Sequence, residues 1–208
     1  MNEGKLLAAI REALAGSRGP REDARTVDGI LAGLRRAHAM GDGGRVLGYG
    51  VARLFGPDGR LRLAVPFANL ITDYGDQFYV QRGSGVAAPA AVTGMRLGTG
   101  VTAVAKNGAG AAIVTYVAGS EKALDGGYPA AATKGAGLGW RATYQTTWGA
   151  GLATANGLAE AVVTNESPLT DVAGVAGDTV SRALLNPVVN KGANDTLVIT
   201  WTHDLLGS

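Results

Sequence analysis

Short segments rich in glycine, alanine, asparagine, aspartate and proline punctuate residues 67–208, and they limit what this part of the chain can fold into. Glycine alone supplies 33 of the 208 residues, and turn-forming residues at this density separate short elements. One stretch, residues 72–80, has a helical pattern. Strand patterns are predicted at residues 94–97, 111–117, 138–148, 158–164, 180–185 and 196–203. Their spacing predicts a mainly β body, an antiparallel β-sandwich-like or related fold.

Side-chain spacing indicates which aromatic residues face the interior. In the longest predicted strand, Trp140, Tyr144 and Trp148 share one face, because successive side chains of a strand point to opposite sides. We expect these rings to lie in the core; exposed, they would instead form a stacking face for a sugar. Tyr74 and Phe78 are four residues apart, which predicts the face by which a helix docks.

The distribution of charge divides the chain into two parts. Residues 1–66 carry 11 Lys and Arg against 7 Asp and Glu, whereas residues 67–208 carry 8 against 10. Charges are also more than twice as dense in the first part. This change predicts an N-terminal arm at residues 1–66, used for attachment or oligomerisation, and a β-rich body at residues 67–208.

The arm is predicted to contain two helices and a β-hairpin. Apolar residues recur at helical spacing in residues 6–14 and again in residues 27–38. The hairpin is predicted at residues 45–55 and 60–64, around a turn at residues 56–59. The apolar stripes are too narrow to hold a fold alone, so the helices need a partner, either the body or another chain. The residues predicted to dock on that partner are Leu6, Leu7, Ile10, Leu14, Ile30, Leu31, Leu34, Arg35 and Arg36.

Composition excludes several classes of site. The chain has no cysteine, which excludes disulfides, thiolate metal sites and a cysteine nucleophile. It has two histidines, His38 and His203, too few for a multi-histidine metal centre. No apolar run reaches the roughly 20 residues of a membrane-spanning helix, and the N-terminus lacks the apolar stretch of a signal peptide. The net charge of +2 predicts no strong attraction to nucleic acid or anionic membranes.

Motifs for cofactor binding and nucleophilic catalysis are weak. Residues 98–103 fit a loose dinucleotide fingerprint, but the glycine-rich residues 106–110 cannot sustain the helix that this motif requires, so a turn is favoured. There is no P-loop and no Gly-x-Ser-x-Gly nucleophile elbow. His203 lies beside Asp204, an arrangement that could orient a base, but no serine is singled out as its nucleophile.

The carboxylates do not indicate an active site either. Asp73 with Asp76 and Glu160 with Glu166 are the acidic pairs considered for glycoside hydrolysis, and neither stands out from ordinary solvated acids. No catalytic, metal-binding or cofactor-binding residue is therefore predicted. The chain is expected not to be an enzyme.

The end of the chain has a more specific pattern. Residues 185–201 read LNPVVNKGANDTLVITW, preceded by NLIT at residues 69–72 and GMRLGTG at residues 94–100. These segments resemble a group of tailed-bacteriophage virion proteins in which similar motifs bracket one compact β domain. The resemblance covers residues 67–208. Within it, the last motif predicts a tight turn followed by a strand rich in β-branched residues.

This resemblance implies a non-enzymatic structural component of a tailed-phage virion, assembled in the host cytoplasm. Its partners would be other phage structural proteins, such as the major capsid or tail proteins. A basic arm on a compact body favours a capsid-associated accessory protein, of the decoration or cement type, attached through residues 1–66. A tail, neck, baseplate or fibre-base component and a receptor- or glycan-binding module are alternatives. The apolar stripes of the arm also favour a homo-oligomer, such as a trimer, that would bury them.

Overall fold

The computed structural model describes residues 46–136 and 139–205, which form a nine-stranded antiparallel sheet and a helix. The order of strands across the sheet is β4-β3-β7-β8-β2-β1-β9-β6-β5. Two short 3-10 turns, Gly108–Ala111 and Ala176–Asp178, lie in the loops. The elements are β1 (Val46–Phe55), β2 (Leu61–Ile71), α1 (Asp73–Ser84), β3 (Gly94–Gly98), β4 (Lys122–Ala123), β5 (Ala130–Thr133), β6 (Trp140–Trp148), β7 (Ala155–Thr164), β8 (Thr179–Lys191) and β9 (Thr196–Leu205).

The sheet curls into a half-barrel that encloses the core on its concave face. The margin at β4 is joined to β6, the strand next to the other margin. There the N–H of Asp125 donates to the Gln145 carbonyl of β6 at 2.8 Å. The indole of Trp148, also in β6, donates to the Ser120 carbonyl at 2.8 Å. Because of these bonds, the single curled sheet covers the core from both sides, as two separate sheets do in a β-sandwich.

The predicted mainly β, antiparallel class is confirmed. The strands predicted at 94–97, 138–148, 158–164, 180–185 and 196–203 correspond to β3, β6, β7, β8 and β9. The sandwich-like arrangement is not confirmed, because all nine described strands belong to one sheet. The sequence pattern did not reveal β4 and β5, which have two and four residues and lie at the two margins.

The strand predicted at residues 111–117 is wrong, because a buried carboxylate takes up two of the backbone N–H groups in the middle of this stretch. The N–H groups of Val114 and Thr115 donate to Glu160 at 3.1 and 2.8 Å. A backbone donor satisfied by a side chain is no longer available to a neighbouring strand. An isolated bridge at Tyr116 is the link between this stretch and β3.

The predicted hairpin is confirmed as β1 and β2. In its turn the N–H of Gly59 donates to the Gly56 carbonyl at 2.9 Å. The hairpin lies in the middle of the sheet, since β1 also pairs with β9 and β2 also pairs with β8. The boundary predicted between residues 66 and 67 falls inside β2, so the hairpin belongs to the same sheet as the strands of the body. The helical part of the predicted arm lies outside the described residues.

Helix α1 confirms the helical pattern and docks as its sequence predicts. Thr72 caps its N-terminus: the hydroxyl accepts from the Gly75 N–H at 2.9 Å and donates to the Thr179 carbonyl at 2.5 Å. Phe78 is buried in the core, and Tyr74 packs against that core. The docking face predicted from these two rings is therefore confirmed.

Two glycines of β1 leave room for the largest side chains of the core. Gly48 and Gly50 lie on the concave face, where Gly50 is paired with Trp201 of β9. A Cβ atom at Gly50 would lie 2.4 Å from the Phe67 ring and 2.6 Å from the Thr200 carbonyl. The Phe67 and Trp201 rings fill this space, with centroids 4.8 Å apart. The absence of a side chain at Gly50 is therefore a requirement of the aromatic packing.

Replacing Gly50 with alanine is expected to lower the free energy of unfolding by about 1–3 kcal/mol, because the new methyl group overpacks the core. The matched control is Gly83→Ala in α1, where an added Cβ meets nothing within 4 Å. There the same change is expected to raise stability by about 0.5–1 kcal/mol through helix propensity. Urea unfolding of the two variants measures both effects, and a gain at both positions would contradict the packing argument.

Candidate functional site

The densest cluster of potentially reactive side chains lies inside the half-barrel around His203. Its Nε2 accepts from the indole N–H of Trp201 at 2.9 Å, and an indole can only donate. The Ser181 hydroxyl lies 3.1 Å from the same nitrogen. Nδ1 therefore carries the proton of the neutral ring and donates to the Tyr79 hydroxyl at 2.5 Å. That hydroxyl lies 3.2 Å from the hydroxyl of Tyr144.

Burial keeps this cluster uncharged. Loss of solvent lowers the pKa of His203 to about 3, a shift that the nearby Asp204 carboxylate opposes. Burial also raises the pKa of the Tyr79 and Tyr144 phenols above the ordinary value for tyrosine. The imidazole and both phenols are therefore neutral at pH 7.

Ser181 and His203 are placed like the nucleophile and base of a hydrolase. This pairing was missed from the sequence. Both side chains are 0% exposed, so the hydroxyl does not reach a surface where a substrate could bind. The cluster is a hydrogen-bonded polar part of the core, and it gives no support to catalysis at His203.

Asp204 does not orient His203, because adjacent residues of a strand point to opposite faces of the sheet. On the other face, Asp204 pairs with Lys134 at 2.6 Å and with Arg141 at 2.8 Å. The Tyr49 hydroxyl lies 3.5 Å from the same carboxylate. Asp204 thus connects the end of β9 to β1, to β6 and to the chain after β5. Its role is to hold strands together.

A second buried ionic cluster joins β7 and β8 to the loop that follows β3. Glu160 and Arg182 are both 0% exposed, and their closest N–O distance is 2.6 Å. Glu160 also accepts from the N–H of Gly100 at 3.0 Å. Arg182 donates to the carbonyls of Thr102 and Gly110 at 3.0 and 3.2 Å. Residues 98–103, which fit a loose dinucleotide fingerprint, therefore lead into a loop whose backbone binds the Glu160 carboxylate of the protein itself.

The other acidic residues considered for glycoside hydrolysis, Asp73, Asp76 and Glu166, also form hydrogen bonds or ion pairs within the fold. Asp76 pairs with Lys106 at 2.6 Å, and Asp73 accepts from an asparagine amide in the same loop at 2.9 Å. Glu166 pairs with the buried Arg96. In the part of the chain that the structure describes, no group of three His, Asp or Glu side chains could hold a metal ion. The helix of this part is too short and too polar to span a membrane.

The three rings of β6 do not form a stacking face. Tyr144 and Trp148 are buried, as the core prediction expects, with 4% and 0% of their surface exposed. Trp140 is 61% exposed, so the core prediction is wrong for this residue. The reason is its position at the first residue of β6, where the sheet ends. A glycan platform made of all three rings is therefore not present.

An open cavity of about 560 Å³ lies at the opposite end of the sheet, between three turns. Its polar side chains are an amide and a hydroxyl, its one aromatic ring is that of Phe55, and no acid or base lines it. The lining residues are Phe55, Gly56, Pro57, Gly59, Ala150, Asn194 and Thr196. This cavity does not supply the catalytic group that an enzyme would need.

Comparison with family models, with curated proteins and with solved structures finds no match to this chain. The predicted docking residues between Leu6 and Arg36 lie outside the described residues. Within the described part, the serine–histidine pair and the ion pairs are occupied in holding the fold together.

Proposed function

We propose that this chain is a non-enzymatic structural component of a tailed-phage virion. The observation that carries the proposal is the sequence of residues 185–201, which resembles the ending of a group of such proteins. Capsid-associated accessory protein is the preferred assignment, with the basic N-terminal residues as the attachment element. Its partners would be other structural proteins of the particle, including further copies of itself.

The place of the motif in the fold supports a structural role for it. Leu197, Ile199 and Trp201 supply core side chains from β9, an interior strand of the sheet. Lys191 is buried, and its ammonium donates to the Gly149 carbonyl at 3.0 Å. Asp195 pairs with an arginine of β2 at 2.8 Å. A motif whose residues contribute to interior strands and to the core is characteristic of a domain type rather than of an active site.

The chemistry of the described surface also suits a particle protein. A β domain without cysteine needs no redox condition to stay folded. Ser181, His203 and the Glu160–Arg182 pair are buried, so the polar groups most capable of chemistry are not presented on the surface. A tail, neck or baseplate component shares these properties, so this alternative differs in copy number and not in chemistry.

Quantitative mass spectrometry of purified particles of the encoding phage, separated into heads and tails, tests the proposal. Hundreds of copies in the head fraction are expected for a decoration protein. A few copies in the tail fraction would reassign it to the tail and overturn the capsid placement. Absence from both fractions would overturn the virion role itself.

A further inference from the structure

Three apolar side chains form a row at the end of the sheet where the described chain begins and ends. Val46 of β1 is paired with Leu205 of β9, and Leu205 is paired with Trp140 of β6. Directly paired residues of antiparallel strands point to the same side of a sheet. That side is the concave one, because His203, two residues before Leu205, is buried in the core. We call Val46, Leu205 and Trp140 the mouth row.

The described part of the protein leaves the mouth row largely open. Two residues further along β9 toward the interior, α1 covers the concave face at His203, where the Tyr79 hydroxyl lies 2.5 Å from the imidazole Nδ1. Beyond that helix, Trp140 is 61% exposed and Leu205 is 43% exposed. An exposed indole beside a second large apolar side chain is the kind of surface that marks a contact with another segment or molecule.

The segment that precedes Val46 has the pattern and the length to cover this row. Residues 27–38 carry the second apolar stripe, and eight peptide units join residue 38 to Val46, a reach of at most about 28 Å. Strands lie about 4.8 Å apart, so the row is about 10 Å wide. As a helix, the stripe from residue 27 to residue 34 is about 10 Å long.

The first apolar stripe is less suited to the same place. It ends at Leu14, 32 residues before Val46. The entropy lost on closing a loop increases with the length of that loop, so the nearer stripe has the advantage. The nearer stripe is also covalently linked to the row, so its effective concentration there is high. The same stripe on a second copy of the protein has no such advantage.

We infer that residues 27–38 pack their apolar stripe on the mouth row of the same chain. Ile30, Leu31 and Leu34, which the sequence predicts to dock on a partner, then dock on the body, while the stripe at residues 6–14 remains available for other partners. The inference is independent of the virion role, because it concerns the isolated chain.

Disulfide trapping in the full chain tests the inference without background, because the natural sequence has no cysteine. The double variant Leu31→Cys with Leu205→Cys is expected to form an intramolecular disulfide in the monomer-sized species on mild oxidation. The matched control joins Leu31→Cys to Leu152→Cys, since Leu152 is 44% exposed but lies in the loop after β6, at the opposite end of the sheet. Trapping with Leu205 is expected to be at least ~10-fold faster than with Leu152, as for a contact with a high effective concentration.

Iodide quenching of tryptophan fluorescence gives a second readout. Of the three tryptophans, Trp148 and Trp201 are fully buried, so quenching reports on Trp140. In the full chain, Leu31→Asp with Leu34→Asp is expected to increase quenching, and the control Leu6→Asp with Leu7→Asp is expected to leave it unchanged. Disulfides formed solely between chains, equal trapping at both positions, or quenching that responds to neither pair would each overturn the inference.

Discussion

Replacing Arg182 with methionine is expected to lower the free energy of unfolding by about 3–5 kcal/mol. The change leaves the Glu160 carboxylate without its cation in a site where both side chains are 0% exposed, and an unpaired buried charge is strongly destabilising. The carbonyls of Thr102 and Gly110 lose their donor at the same time. Methionine retains most of the aliphatic volume of arginine, so the loss reflects charge and hydrogen bonding more than packing. Urea unfolding followed by tryptophan fluorescence measures it.

Arg60→Met is the matched control for this prediction. Arg60 pairs with Asp58 at 3.8 Å, and the side chains are 87% and 55% exposed, so the loss expected there is below about 1 kcal/mol. Adding Glu160→Gln to Arg182→Met is expected to cost less than the sum of the two single changes, because the pair is coupled. Similar losses at Arg182 and Arg60 would contradict the role of the buried pair.

The same variant has a local consequence that an ordinary loss of stability does not have. Arg182 and Glu160 bind the backbone on both sides of Lys106, in a loop without regular strands. Loops with few such anchors open first. Limited trypsin digestion under native conditions is therefore expected to cleave after Lys106 faster in Arg182→Met than in the natural protein. Arg60→Met removes one exposed tryptic site, and it is expected to leave the rate of cleavage after Lys106 unchanged.

Local periodicity was sufficient to predict most strands of this fold. Tyr144 and Trp148 alternate with polar residues in β6, and both are buried as the alternation predicts. Trp140 has the same periodicity but is exposed, because alternation assigns a face of the sheet and does not show where that face ends. Residues 111–117 have strand-like composition, yet the N–H groups of Val114 and Thr115 are taken by the side chain of Glu160, which is distant in sequence.

The order of the strands was beyond the reach of sequence patterns. The hairpin β1–β2 lies between β8 and β9, although these two strands are consecutive along the chain. Although two strands separate them in the sheet, Ser181 of β8 and His203 of β9 are in contact on its concave face, and Tyr79 of α1 completes the cluster. No spacing in the sequence predicts these contacts, because they depend on which strands pair over long sequence separations. The change in charge density predicted a boundary between residues 66 and 67, which lies inside β2. Charge density depends on composition and carries no information on which strands pair.

Lowering the pH from 7 to 5 is expected to decrease the free energy of unfolding by about 2 kcal/mol through His203 alone. The unfolded histidine has a pKa near 6.5, whereas burial lowers the pKa in the folded protein to about 3. Between these values the unfolded chain binds a proton that the folded protein does not, so stability falls as the pH falls. The contribution is fully retained above pH 6.5 and decreases by about 1.4 kcal/mol per pH unit below it. Urea unfolding at a series of pH values measures the slope.

The interval between pH 7 and pH 5 separates this effect from ordinary acid unfolding, because unperturbed Asp and Glu carboxyls titrate at about pH 4. His203→Gln is expected to remove most of the slope in that interval, whatever it does to stability at pH 7. His38→Gln, at the other histidine of the chain, is expected to leave the slope unchanged. A His203→Gln variant with the slope of the natural protein would show that the imidazole is solvated and titrates freely, which would contradict the buried serine–histidine–tyrosine cluster.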